Sequence, residues 1–342
     1  MTAVAVVRRI DFGAHRAPRR QGMQRILVIR GGAIGDFVLT LPAIKALRHA
    51  NPDAHIEILG YKHIAVLAEN RFYAQAVRSI EDGSLSSFFA RKTDLPIELA
   101  DYFASFDVIV SYLFDPDRIF EMNLRHCGVK NFVRGPGKMD HSQHAARQLA
   151  KPIHELGINV VDLAAKLFPS PEDRQFANEF LHRLPGPFVA IHPGSGSERK
   201  NWPIEKWVEV SRSGAFQSAV GRRSGDRRSL IIISGEADET QCAQLERESR
   251  YALFAENLPL PKLAAVLENS IFIGHDSGIS HLAAAAGARC ILLFGPTDPA
   301  IWAPLNENVR VLRAGHDDLR NLDVDLVREA LDHALMRMGI KT

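Results

Sequence analysis

Cysteine is scarce: the 342 residues hold three, Cys127, Cys242 and Cys290, with no CxxC spacing among them. An odd, scattered set excludes a disulfide framework and a thiolate zinc site, and suits a reducing cytoplasm. Long apolar runs are missing too. The best candidates, Ile26 to Ile29 and Arg289 to Phe294, are strand-sized, far short of the roughly 20 residues of a membrane-spanning helix, so a soluble protein is expected. Nor is one charge in excess. Lys and Arg number 42 against 40 Asp and Glu, a formal net charge of +2, which gives no general drive towards nucleic acid or membrane; recognition of a charged partner must be local. The histidines form no H-x-H or H-E-x-x-H pair and no G-x-S-x-G elbow occurs, so zinc chemistry and a serine nucleophile lack their signatures.

What is present is enough apolar sequence, 46% of 342 residues, for two domains of roughly 150 residues each, and two domains imply a cleft. Residues 1–24 read as a loose basic extension with arginines at 8, 9, 16, 19 and 20. Its apolar stretch, Thr2 to Val7, is too short for a signal-peptide core. A start codon misassigned ahead of Met23 and a tether for an anionic membrane both fit it. From Arg25 the pattern is regular: strand RILVIR, turn GGAIGD, a helix from Phe37 to Ala50, then strand HIEILG. That is the βαβ opening of a doubly wound parallel sheet. Further strands are expected at 76–80, 108–112 and 131–133, taking the first domain over 25–167, with a linker from Phe168 to Asp173. The same grammar restarts over 168–322, with strands PFVAIHPG, SLIIIS, SIFIGH and RCILLFG. Ser218 to Arg228 reads as a solvated loop. Residues 323–342 carry an amphipathic helix from Asp323 to Met338, expected to pack back across the domain junction.

Three turns could carry chemistry. In Gly31-Gly32-Ala33-Ile34-Gly35-Asp36 the glycines free backbone amides at a helix start, where a phosphate or sugar could approach. Asp36 there is either a first-turn cap or a general base facing the cleft. The turn lacks the full G-x-G-x-x-G, since Ala33 stands where the second glycine belongs; this disfavours NAD, although Glu57 sits about 20 residues on, where a ribose-binding acid would be. Glu57 then reads as a solvated strand residue. The second turn runs from His192 to Pro203 (HPGSGSERKNWP). Its amides, Ser195 and Lys200 can hold a diphosphate, unless it is merely a surface loop; Trp202 reads as packing. The third is Gly274-His275-Asp276-Ser277-Gly278-Ile279-Ser280-His281, where amides at 277–279 open a helix of small residues and Asp276 lies on the ligand edge of the sheet. His275 reads as structural, and His281 as structural or supporting. Asp115-Pro116-Asp117 has the form of a DxD metal site, but beside two complete strand-glycine-helix domains it reads as a loop.

Together these residues resemble glycosyltransferase family 9, the ADP-heptose:lipopolysaccharide heptosyltransferases. ILVIRGGAIGDFVLTLPAIKALRHANPDAHIEILG is similar to the family's opening segment, IHPGSGSERKNWPIEKW to its central loop, and FIGHDSGISHLAAAAGARCILLFGPTDP to its C-terminal block. Order and spacing agree from Arg25 to about Leu312, leaving out the basic extension and the 218–228 loop. The resemblance implies the GT-B architecture, two Rossmann-like domains whose parallel sheets face across a cleft, with acceptor on the first and donor on the second. It implies an inverting transferase with no metal or other cofactor. By match, Asp36 would be the catalytic base. Lys200, Ser195, Gly196 and the amides of Ser277 and Gly278 would stabilise the departing ADP. Asp276 would hold donor-sugar hydroxyls with His281 supporting that corner, Glu236 would meet the ribose, and Leu258 would lie near the base. On the acceptor side stand Gly35, Lys138 and His141; Lys138, His141, His144 and Arg147 either meet an acidic glycolipid or form a solvated basic face. The partners implied are a nucleotide-sugar donor and a glycolipid or glycan acceptor, without nucleic acid, in the cytoplasm or at the cytoplasmic face of the inner membrane. The loop HPGSGSER departs from the hydroxyl-rich version of the core heptosyltransferases, which bears on the donor's identity more than on the reaction. A noncatalytic nucleotide-sugar or glycan-binding protein on the same scaffold is the alternative.

Overall fold

Each convincing apolar run becomes a central strand. In the computed structural model, which describes residues 23–182, 184, 188–212, 230–235, 244–245, 247–249 and 252–338, Ile26 to Ile29 are fully buried in β1 (Arg25–Arg30). A strand covered on both faces reads as a continuous apolar run rather than an alternating one. The first sheet adds β2 (His55–Gly60), β3 (Ala76–Ser79), β4 (Val108–Ser111) and β5 (Phe132–Arg134), all parallel, in the order β3-β2-β1-β4-β5. The second holds β6 (Val189–His192), β7 (Leu230–Ser234), β8 (Leu253–Glu256), β9 (Ile271–His275), β10 (Arg289–Phe294) and β11 (Val309–Arg313), again parallel, in the order β11-β10-β9-β6-β7-β8. Chain order reverses between β1 and β4 in one sheet and between β6 and β9 in the other. Crevices at the carboxyl ends of strands at such reversals are where open α/β sheets bind ligands. All three glycine turns leave β1, β6 or β9, so each sits at a reversal.

The helices bounded within the described residues include α1 (Ile34–Ala50), α2 (Lys62–Ala65), α3 (Ile97–Ala104), α4 (Ile119–His126), α5 (Ala145–Glu155), α6 (Pro171–Leu181), α7 (Ile204–Ser211), α8 (Leu260–Leu267), α9 (Gly278–Ala286), α10 (Pro299–Trp302) and α11 (Val324–Arg337). One apolar cluster fills the middle of the molecule, joining Val38, Leu41 and Leu149 of the first lobe to Leu282, Phe272 and Leu292 of the second. Two others cover the outer faces of the sheets. Among the described residues, no helix is long and apolar enough to cross a membrane.

Three expectations change. The C-terminal helix does not lie at the junction: Val324, Val327, Ala330, Leu331 and Leu335 of α11 pack on the outer face of the second sheet with Trp207, Ile273 and Leu293, where its apolar stripe finds a matching surface. The segment expected as a linker is partly helix, because Ser170 and Asp173 close a capping box that starts α6 at Pro171. Glu57 is not solvated. Its carboxylate, 13% exposed, meets Arg25 at 3.4 Å, His55 at 2.9 Å and the Tyr102 hydroxyl at 3.0 Å, because α3 folds Tyr102 over it. The 218–228 loop, Glu236 and the basic extension up to residue 22 lie outside the described residues.

Candidate active site

The first corner is built by α1. The helix begins inside the glycine turn, three residues ahead of the Phe37 start expected from periodicity, and Asp36 is its third residue. Asp36 Oδ2 accepts the Ala33 amide at 3.0 Å, so the carboxylate does cap its own helix. Its other oxygen lies 3.2 Å from Arg30 Nη2. Arg30, 5% exposed, also donates to the Asp36 carbonyl at 3.2 Å and 3.3 Å and lies over the Tyr112 ring. Burial pulls the Arg30 guanidinium below its ordinary pKa, with the Asp36 carboxylate opposing that shift. Asp36 itself stays 37% exposed and lines a pocket of about 620 Å³ with Gly31, Gly32, Tyr61, Lys138 and, from the second lobe, Trp302. Capping the helix and facing the cleft are thus not alternatives: one carboxylate does both.

Gly32 makes this possible. Its φ is +97°, and a Cβ there would lie 2.8 Å from Asp36 Oδ2. Gly32→Ala is therefore expected to destabilise the fold by about 1–2 kcal/mol from the left-handed backbone alone and to swing the carboxylate out of place. A thermal melt and a turnover assay check this; wild-type values in both would show that the turn does not set Asp36.

The second corner joins two loops of the other lobe. Lys200 ends a 3-10 turn (Glu198–Lys200), and its Nζ lies 2.8 Å from Asp276 Oδ2, the ammonium side chain being 31% and the carboxylate 10% exposed. Asp276 leads from β9 into α9, whose N-cap Ser277 accepts the Ser280 amide at 3.3 Å. The first-turn amides of α9 have no carbonyl of their own helix to bond, which makes this end suited to an anion. Ser195 is turned inward: its hydroxyl lies 2.7 Å from Asn201 Oδ1 and 2.8 Å from the Ser197 carbonyl, and so shapes the loop. Gly196 beside it faces open space. His275 is structural, as expected: it is fully buried and accepts the Trp202 amide at 2.8 Å, while the Trp202 indole donates to the Leu322 carbonyl at 3.1 Å. Leu258 packs at the edge of the central apolar cluster.

The corners meet. A Cβ on Gly278 would lie 2.7 Å from Ile34 Cβ and 3.0 Å from the Gly35 amide nitrogen, and one on Gly35 would lie 3.2 Å from His281 Cδ2. The amino ends of α1 and α9 thus cross backbone to backbone, which only glycine at 278 allows. His281 is buried at this crossing and its pKa is pushed down to about 4. Burial is the largest cause, with Asp276 and Asp36 pulling the other way, so the imidazole is neutral at neutral pH.

Of the four basic residues offered to an acidic acceptor, only Lys138 lines the pocket. His141 and Arg147 are exposed. His144 instead ties elements together. Its Nδ1 caps α5 by accepting the Ala146 amide at 3.1 Å, and its Nε2 donates to the Ala303 carbonyl of the other lobe at 2.8 Å. The DPD segment is a loop, with Asp115 capping α4 through the Ile119 and Glu121 amides at 2.9 Å and 3.0 Å. Among the described residues no group of three or more His, Cys, Asp or Glu side chains could hold a metal ion. Sequence reasoning missed Arg30, whose only signal was a cation closing an apolar strand, and Trp302, which reaches the site solely through the tertiary fold.

Two doubly wound lobes that press glycine-opened helix ends together, a carboxylate on one side and a lysine-carboxylate pair on the other, define a two-lobed transferase fold. The glycosyltransferase family 9 (heptosyltransferase) model matches residues 138–324, more than half of the chain. The chain belongs to that family and is a glycosyltransferase. It is 24% identical over 304 residues to lipopolysaccharide heptosyltransferase 3 of Escherichia coli, covering 82% of this chain and 86% of that one. Its GT-B fold is shared with a family 9 glycosyl transferase of Veillonella parvula (TM-score 0.73, 17% identity, 92% of this chain and 97% of that one). It is shared also with the ADP-heptose lipopolysaccharide heptosyltransferase II of E. coli (TM-score 0.73, 15% identity, 92% and 100%).

Proposed function

We propose that this enzyme moves a heptose-type sugar from ADP-heptose to a hydroxyl of a lipopolysaccharide-core or related surface-glycan acceptor, with inversion and without a metal ion. The observation that carries the reading is the contact at the Gly35–Gly278 crossing between the amino end of α1, which carries Asp36, and that of α9, which follows the Lys200-paired Asp276. The names of the similar heptosyltransferases support the donor and the acceptor class.

In this reading the donor pyrophosphate lies at the amino end of α9, against the amides of Gly278 and Ile279 and the Lys200 ammonium, with Asp276 on the sugar hydroxyls. Asp36 takes the proton of the acceptor hydroxyl as its oxygen bonds to the anomeric carbon. The bond from that carbon to the diphosphate breaks, its electron pair leaving with ADP. A single displacement from the opposite face inverts the centre. The cations and dipoles of the second lobe stabilise the negative charge that grows on the leaving oxygen, and the neutral His281 adds no positive charge that would compete for Asp36.

The test is ADP release from ADP-heptose, with and without a core-glycan acceptor, in the presence of EDTA. Acceptor-dependent release unaffected by EDTA is expected. Failure to bind ADP at millimolar concentration would remove the proposal.

A further inference from the structure

Resting on that reading, we infer that the acceptor is gripped as a neutral pyranose ring, stacked on an aromatic wall of the first-lobe pocket, and not as an acidic sugar. Five of the fifteen residues lining the 620 Å³ pocket are aromatic, against 8% of the sequence. Tyr112 is buried, its hydroxyl donating to the Leu149 carbonyl at 2.9 Å. Tyr61, Phe89, Phe114 and Trp302 are the accessible ones. Phe114 and Phe89 are 59% and 46% exposed, and large apolar side chains exposed together around one cavity mark a binding surface rather than a core. Phe89 stacks on Phe120 at 4.8 Å between ring centroids. Flat, exposed rings of this kind suit the C–H face of a sugar.

Charge decides between neutral and acidic rings. The Arg, Lys, Asp and Glu side chains of the pocket are Arg30, Lys138, Asp36 and Glu81, which sum to zero. Arg30 is taken by Asp36 at 3.2 Å, and the Lys138 ammonium lies 4.1 Å from the centroid of the Phe114 ring. His144, which could have added a cation, is bound to Ala303. A sugar carboxylate entering here would lie among Asp36 and Glu81 with Lys138 alone to meet it, and like charges brought together oppose binding. A neutral ring instead offers hydroxyl donors to Glu81 and Asp36, the same polarity that base catalysis by Asp36 requires.

The experiment titrates the protein, saturated with ADP, with a methyl heptopyranoside and with the methyl glycoside of a keto-sugar acid, observed by saturation-transfer NMR. The neutral glycoside is expected to bind, with transfer strongest to the C–H groups of one ring face, and the acid to bind at least about tenfold more weakly. Phe114→Ala, at an exposed position, should weaken the neutral glycoside about five- to tenfold and leave ADP affinity unchanged. Equal or tighter binding of the acid, an unchanged affinity in Phe114→Ala, or binding of neither glycoside at millimolar concentration would each overturn the inference. The ADP titration in the same samples separates the two ideas: loss of ADP binding counts against the transferase reading, whereas ADP binding with a preference for the acid sinks only the neutral-acceptor assignment.

Discussion

Replacing Asp36 by Asn is expected to lower turnover by about 10²- to 10⁴-fold while ADP binds as before, the range typical for loss of a positioned general base. The geometry makes the substitution a clean one on the helix side. An Asn carbonyl oxygen can still accept the Ala33 amide, now 3.0 Å from Oδ2, so α1 keeps its start. The cost falls on Arg30. That guanidinium is 5% exposed and would lose its ionic partner, although it keeps two bonds to the Asp36 carbonyl. Because Asp36 is more than a third exposed, solvent already screens the pair and the stability loss should be modest. Turnover, ADP affinity and a melting curve measured together separate chemistry from folding. A large fall in turnover with near wild-type melting is the expected pattern; full turnover would remove Asp36 from the base role.

The sheets were legible because parallel strands buried on both faces leave unbroken apolar runs, as in RILVIR, SIFIGH and RCILLFG, and because glycine turns that open helices follow RILVIR and SIFIGH. The same punctuation placed Asp36, Lys200 and Asp276 at strand ends, and the fold brings those ends together. What the sequence could not carry were contacts made by crossing elements. Nothing local distinguishes Glu57 as half-buried: besides Arg25 and His55 it is met by Tyr102 of α3, 45 residues away along the chain. His144 looked like one of four basic residues in a row, yet its ring joins two lobes through Ala303, 159 positions on. Ser195 illustrates a different limit. A serine in a glycine turn reads as a ligand donor, but Asn201, six residues later, uses up its hydroxyl. Periodicity also misplaced α11, since an amphipathic stripe says that a helix packs without saying on which sheet.

Lys200→Met should have the second largest effect, and it tests the opposite lobe. The ammonium lies 2.8 Å from an Asp276 carboxylate that is only 10% exposed. Without it the corner holds a negative charge with its cation gone, beside the place where ADP would gather charge as it leaves. Two losses then add: the leaving group loses its cation, and Asp276 repels the diphosphate. Turnover is expected to fall by about 10²- to 10³-fold, the scale for removing one preorganised electrostatic group, and ADP affinity to fall with it. The double variant Lys200→Met/Asp276→Asn distinguishes these contributions. Removing the charge relieves the repulsion, so ADP affinity should recover in part, while turnover stays low because no cation meets the leaving oxygen. Such coupling between residues in contact is what a double-mutant cycle reads. Additive effects on ADP affinity would mean that the two side chains act independently of each other, and wild-type turnover in the single variant would take Lys200 out of the chemistry.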